Sequence, residues 1–160
     1  MKAMRNSGVK WIGEIPADWK LIRLKDVVKI NNGKEVDSEE GTVPVYGSGG
    51  AFKWADKDLC VGPALLLGRK GTIDKPLFVK EPFWTVDTMF YATNKGKVCL
   101  EYAYFCSTCF DYKFYQTGST LPSMTQADLG NILLPFPSIK EQRAIASALY
   151  SRCEECDKVA

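Results

Sequence analysis

The chain has 160 residues, 46% hydrophobic and 25% charged, an ordinary globular balance with enough apolar material for one domain and its core. A formal net charge of +2 neither demands nor forbids a polyanionic partner. Histidine is absent, which removes Ser–His and Cys–His catalysis, histidine-bearing zinc sites and histidine as a general base.

No apolar h-region follows Lys2 and Arg5, and no run of about eighteen apolar residues is present, so neither a secretory leader nor a membrane span is expected. The six cysteines are accordingly expected in a reducing cytoplasm. Residues 1–18 read as an irregular entry arm ending in Ile15-Pro16-Ala17-Asp18. Trp19 to Ile30 is apolar and β-branched and predicts one or two short strands, stopped at Asn31-Asn32-Gly33. Lys34 to Gly41 is a polar surface loop, and its Glu39 and Glu40 have no apolar pocket to tune them. Val43 to Tyr46 predicts a strand whose proline argues for a sheet edge, followed by a flexible Gly47-Ser48-Gly49-Gly50 loop.

Ala64 to Leu67 predicts a buried strand ended by Gly68-Arg69-Lys70-Gly71. Leu77 to Val79 and Phe83 to Tyr91 supply further strands, the second broken near Asp87. Residues 100–115 predict the first helix, apolar on most sides and therefore buried. After a loop from Gln116 to Pro122, Thr125 caps a short helix through Leu129. Asn131 to Leu134 predicts one more strand, closed by Pro135-Phe136-Pro137. Ser138 and Glu141 form a capping box for a helix towards Ala160, with Ile145, Leu149, Cys153 and Cys156 on a stripe suited to a partner helix. With no βαβ alternation, the expected fold class is α+β: a mixed, mainly antiparallel sheet of short strands with a buried helix, then a long C-terminal helix. The expected division is 1–137 and 138–160.

Three loops carry candidate chemistry. Gly47-Ser48-Gly49-Gly50 lacks the Gly-Lys-Ser/Thr ending of a Walker motif, but Lys53 and Trp54 follow it closely. Gly68-Arg69-Lys70-Gly71-Thr72 puts two cations on a turn, where arginine can fork onto guanine O6 and N7 and lysine can hold a phosphate. Thr117-Gly118-Ser119-Thr120, after Lys113 and Tyr115, offers small hydroxyl donors. Each pattern also fits an ordinary solvated turn. Two CxxC units, Cys106/Cys109 and Cys153/Cys156, superficially suggest zinc. Their separation exceeds ribbon spacing, and on helices such pairs simply line one face, so no metal site and no thioredoxin-like chemistry is expected. No catalytic constellation stands out.

In their order along the chain, these pieces resemble the specificity subunits of type I restriction–modification systems. The resemblance rests on Gly8-Val9-Lys10-Trp11-Ile12-Gly13-Glu14-Ile15-Pro16-Ala17-Asp18-Trp19, Arg23-Leu24-Lys25-Asp26-Val27, Tyr46-Gly47-Ser48-Gly49-Gly50 and Arg69-Lys70-Gly71. Trp84-Thr85-Val86-Asp87-Thr88, Gly118-Ser119-Thr120, Pro135-Phe136-Pro137 and Glu141-Gln142-Arg143 complete it. It implies that residues 1–137 are an N-terminal DNA target-recognition domain and that 138–160 begin a spacer helix. It further implies a non-catalytic subunit that reads one half of a bipartite double-stranded DNA site. Adenine methylation and cleavage would fall to modification and restriction subunits, and S-adenosylmethionine, ATP and Mg would be held there. DNA contacts are expected from Gly47, Ser48, Gly49, Lys53, Arg69, Lys70, Lys113, Tyr115, Ser119 and Thr120. Trp84 and Asp87 would fix the core. Ile145, Leu149, Cys153 and Cys156 would meet a partner helix, in a homodimer among other options. The rival readings are the recognition portion of a DNA methyltransferase or fused restriction–methylation enzyme, and a zinc-stabilised interaction module.

Overall fold

The computed structural model describes residues 1–118 and 120–159. The entry arm is a hairpin rather than irregular chain: β1 (Met4–Asn6) pairs antiparallel with β2 (Glu14–Pro16). Its turn needs left-handed backbone at Gly8 and Gly13, and the Asn6 side chain accepts from the Gly8 N–H at 2.7 Å. Trp19 to Ile30 resolves into β3 (Lys20–Arg23), one helical turn α1 (Leu24–Val27) and β4 (Val28–Asn32). The strand β4 thus continues through both asparagines expected to stop it.

The strand β5 (Val43–Gly47) and β6 (Gly50–Ala55) form a second hairpin, so the expected flexible glycine loop is a two-residue Ser48-Gly49 turn. Nor is β5 an edge. It lies between β6 and the later β9 (Trp84–Thr85), which pairs in parallel with Val45 and Tyr46. Because β9 stops short of Pro44, the proline's missing N–H interrupts no ladder on that side.

Ala64 to Gly68 forms β7, buried along its whole length. Leu65 and Leu67 enter the main core with Leu24, Phe90, Leu129 and Leu134, while Ala64 and Leu66 enter a second cluster with Phe83 and Met89. Burial on both faces is why the strand is continuously apolar instead of alternating. It is central in an antiparallel sheet with β4, β10 (Met89–Asn94) and β8 (Leu77–Val79), ordered β4-β10-β7-β8.

The single helix expected over 100–115 is two: α2 (Leu100–Ser107) and α3 (Tyr112–Tyr115). The Ser107 and Thr108 hydroxyls each donate to the carbonyl three residues back, at 2.6 Å, competing with the backbone ladder where α2 ends. The helix α4 (Gln126–Asn131) is capped by Thr125, whose Oγ1 accepts from the Asp128 N–H at 3.0 Å. The last strand, β11 (Leu133–Phe136), starts two residues later than expected and pairs with β3, so the chain closes beside its own beginning. The final helix α5 (Ile139–Val159) opens on a reciprocal capping box between Ser138 and Glu141. Its first turns dock on α2 through Gln142, Ile145, Ala146 and Tyr150. The architecture is α+β, as expected.

Candidate nucleic-acid interface

Two of the three loops singled out by sequence, and the described part of the third, meet at one end of the central sheet. The linchpin is Thr88, just before β10. Its carbonyl accepts from the backbone N–H groups of Arg69 (2.8 Å) and Lys70 (3.3 Å), and its hydroxyl accepts from the Ser48 N–H at 3.2 Å. The β5–β6 turn is thereby held against the basic turn; a Cβ on Gly71 would lie 3.1 Å from the Ser48 hydroxyl. The third loop is zipped on from the other side. Met124 N–H donates to the Arg69 carbonyl (2.8 Å), Gly71 N–H to Pro122 (3.0 Å), and Thr117 and Ser123 exchange two backbone hydrogen bonds.

These bonds fix the side chains to different degrees. Lys70 is exposed and forms no ion pair among the described residues. Arg69 is half-buried, with one guanidinium N–H on the Asp87 carbonyl at 3.2 Å and its Cζ 5.9 Å above the Phe90 ring. That brace spends one of five donors and orients the rest. A depression of about 300 Å³ beside them is lined by Asn32, Arg69, Lys70, Phe90, Ser123 and Gln126, among others.

The remaining candidates are spread more widely. Lys53 lies on β6 in an ion pair with Glu39 at 2.9 Å, so its charge is already partly answered. Lys113 is exposed on α3, and Tyr115 packs on the main core at the root of the third loop. Thr120 is exposed on that loop, and Ser119 lies outside the described residues. Trp84 is buried with its indole N–H on the Lys34 carbonyl (2.9 Å), as a core-fixing residue should be. Asp87 is engaged through its carbonyl, and its side chain is exposed. On α5, Ile145 is half-buried against the domain's own α2, Leu149 borders an apolar groove with Trp11 and Trp19, and Cys153 and Cys156 are exposed.

Sequence reasoning missed Thr88, Asn32 and Gln126. Thr88 sits inside a quoted motif, but its role depends on three segments meeting in space. The shifted ionisable groups include several in the core: burial pushes the Cys106 thiol up to about 12 and raises the Tyr102 and Tyr112 phenols, which stay neutral donors to the Pro135 and Ser107 carbonyls. Among the described residues no group of three or more His, Cys, Asp or Glu is arranged to hold a metal, and no helix is long and apolar enough to cross a membrane.

Fold and site together define an α+β domain that gathers loops at one end of its sheet, one of them carrying the cations Arg69 and Lys70 beside turn glycines. The chain belongs to the type I restriction modification DNA specificity domain family, whose pattern matches residues 16–154. It is similar to the type I restriction enzyme MjaIX specificity subunit of Methanocaldococcus jannaschii, 26% identical over an alignment of 166 positions that covers 86% of this chain and 38% of that protein. Two solved structures share the fold. The S subunit of the type I restriction–modification system from M. genitalium has a TM-score of 0.74 at 16% identity, over 88% of this chain and 40% of that one. A chain from a study of assembly and conformational transition in the type I system has a TM-score of 0.77 at 15% identity, over 98% and 42%. The chain therefore spans about two fifths of the length of these relatives.

Proposed function

We propose that this chain reads one half of a bipartite double-stranded DNA site within a type I restriction–modification assembly. The observation that carries the proposal is the convergence of the Ser48-Gly49 turn, the Arg69-Lys70 turn and the loop leading to Ser123 on one end of the sheet. Arg69, aimed by Asp87, contacts a base edge; exposed Lys70 holds a phosphate; the glycine turn lets the duplex approach the backbone. Residues 1–137 are the reader, and the helix from Ile139 begins the spacer that carries it towards its partners. In this reading the chain performs no catalysis. Methylation of adenine and cleavage belong to modification and restriction subunits, which hold S-adenosylmethionine, ATP and Mg, and the complex works in the cytoplasm. Cys153, Cys156 and the Leu149 edge of the spacer helix face a partner helix, a second copy of this chain included.

The test is to assemble the chain with the modification subunit encoded beside it and footprint the complex on DNA. A reproducible half-site footprint is expected. Arg69→Ala should weaken specific binding by about 1–3 kcal/mol and relax one position. Binding without sequence preference, or unchanged affinity for the Arg69 variant, would refute the assignment.

A further inference from the structure

We propose that Asn32 and Gln126 form a base-reading pair whose ligand is the major-groove edge of an adenine. The inference rests on the reading above and extends it to two residues outside every motif. Asn32 ends β4, opposite Phe90, and Gln126 opens α4 immediately after its Thr125 cap. They are 94 residues apart in sequence, yet Gln126 Nε2 donates to Asn32 Oδ1 at 2.8 Å, and both side chains are exposed. Both line the depression that holds Arg69 and Lys70, over a floor of buried Phe90 and Met124. An exposed amide–amide hydrogen bond adds little to stability, because water competes for both partners. Its consequence is orientational: it holds the Gln126 side chain at the depression and still leaves that amide an acceptor and a donor to offer.

The donors and acceptors then point to one ligand chemistry. Arg69 and Lys70 offer donors only, which suits guanine O6 and N7 or phosphate. The nearby hydroxyls are engaged, Ser123 on the Leu121 carbonyl (3.3 Å) and Thr125 on Asp128 (2.7 Å). After the bond to Asn32, Gln126 keeps an Oε1 acceptor and one Nε2–H donor. That acceptor–donor couple matches the N6 amine and N7 of adenine, which guanine cannot offer. Asn32 braces the couple and supplies Nδ2 donors towards a neighbouring base or phosphate.

The experiment uses the chain in complex with its modification subunit and a duplex library randomised across the half-site. The wild-type complex should prefer adenine at one position by roughly 5- to 150-fold. Gln126→Ala should flatten that position alone to within about twofold, leaving the others intact; Asn32→Ala should weaken the same position. Gln126→Glu should move the preference there towards cytosine, whose N4 amine a carboxylate accepts from. Unaltered profiles in the alanine variants overturn the inference while leaving half-site reading in place. So does a uniform loss at all positions in Gln126→Ala accompanied by no new preference in Gln126→Glu. A wild-type complex with no sequence preference removes the half-site reading itself, and this inference with it.

Discussion

Replacing Gln142 with alanine should detach the C-terminal helix from the recognition domain. The side chain is wholly buried at the start of α5, where its Oε1 accepts from the Cys99 N–H at 2.9 Å and its Nε2 donates to the Pro137 carbonyl at 3.0 Å. Truncation leaves two backbone groups unpaired in the interior, at about 1–3 kcal/mol each. Since the site lies near a helix terminus that water can reach after a small opening, the low half of that range applies, about 2–4 kcal/mol in all. For a domain of this size, that lowers Tm by roughly 4–16 °C. Thermal and urea unfolding followed by circular dichroism measure it. The companion Gln142→Glu separates hydrogen bonding from packing. Its carboxyl can donate to Pro137 only when protonated, so its folded-state pKa is raised. The stabilisation is fully present below the unfolded value of about 4.3 and is lost as pH rises through the folded one. A loss below about 1 kcal/mol for Gln142→Ala, or a Gln142→Glu protein that gains stability as pH rises, would refute the reasoning.

Other expected outcomes follow from the same geometry. A Cβ at Gly68 would collide with the Thr72 carbonyl and stand 2.6 Å from Ile73 Cα, backbone that cannot yield, so Gly68→Ala should cost about 2–3 kcal/mol in chemical denaturation. Gly49→Ala meets nothing within 4 Å and should stay within about 0.5 kcal/mol of wild type. Lys70→Ala should weaken DNA binding evenly across sequences and lower the slope of log affinity against log salt by about 1, as read by anisotropy titrations. Alkylation of the native protein near pH 8 should modify exposed Cys109, Cys153 and Cys156 well before Cys106, whose thiol burial keeps protonated; equal rates for Cys106 and Cys153 would contradict its placement.

What the sequence made legible was whatever short-range chemistry decides. The Ala64–Leu67 strand, the Thr125 cap and the Ser138–Glu141 box each depend on residues within a few positions of one another, and each is where it was expected. The errors share a different cause. Pro44 argued for an edge, but β5 gains its second neighbour from Trp84–Thr85, some forty residues later, and that strand is too short to need the proline's N–H. The Phe52-Lys53-Trp54 stretch, exposed at both aromatics, gave no inward-facing pattern by which β6 could be seen, because its strand character comes from pairing with β5. Residues 100–115 read as one helix because apolar periodicity does not register the two hydroxyls that turn back on the α2 carbonyls. For the site, sequence located the loops but not Thr88, which joins two of them, nor the Asn32–Gln126 contact, which has no local signature.

That division explains how this end of the domain can be both fixed and changeable. Apart from the Thr88 hydroxyl that holds the Ser48 turn, the scaffold bonds described above run through backbone atoms: the Thr88 and Arg69 carbonyls and the Thr117–Ser123 pair hold their loops whichever side chains face solvent. The side chains proposed to meet a duplex, namely Lys70, the unbraced face of Arg69, Asn32 and Gln126, contribute little to the core and can be exchanged at small cost to stability. The opposite holds on the helix side, where Gln142, the packing of Tyr102 with Ala146 and the Phe105–Tyr150 contact (5.0 Å between ring centroids) tie α5 to α2 through buried or closely packed side chains. Substitutions at the loop face should therefore change which sequence is read without changing the angle at which α5 leaves the domain. Substitutions at Gln142 should do the reverse, disturbing the coupling of the reader to its helix while leaving its base preferences intact.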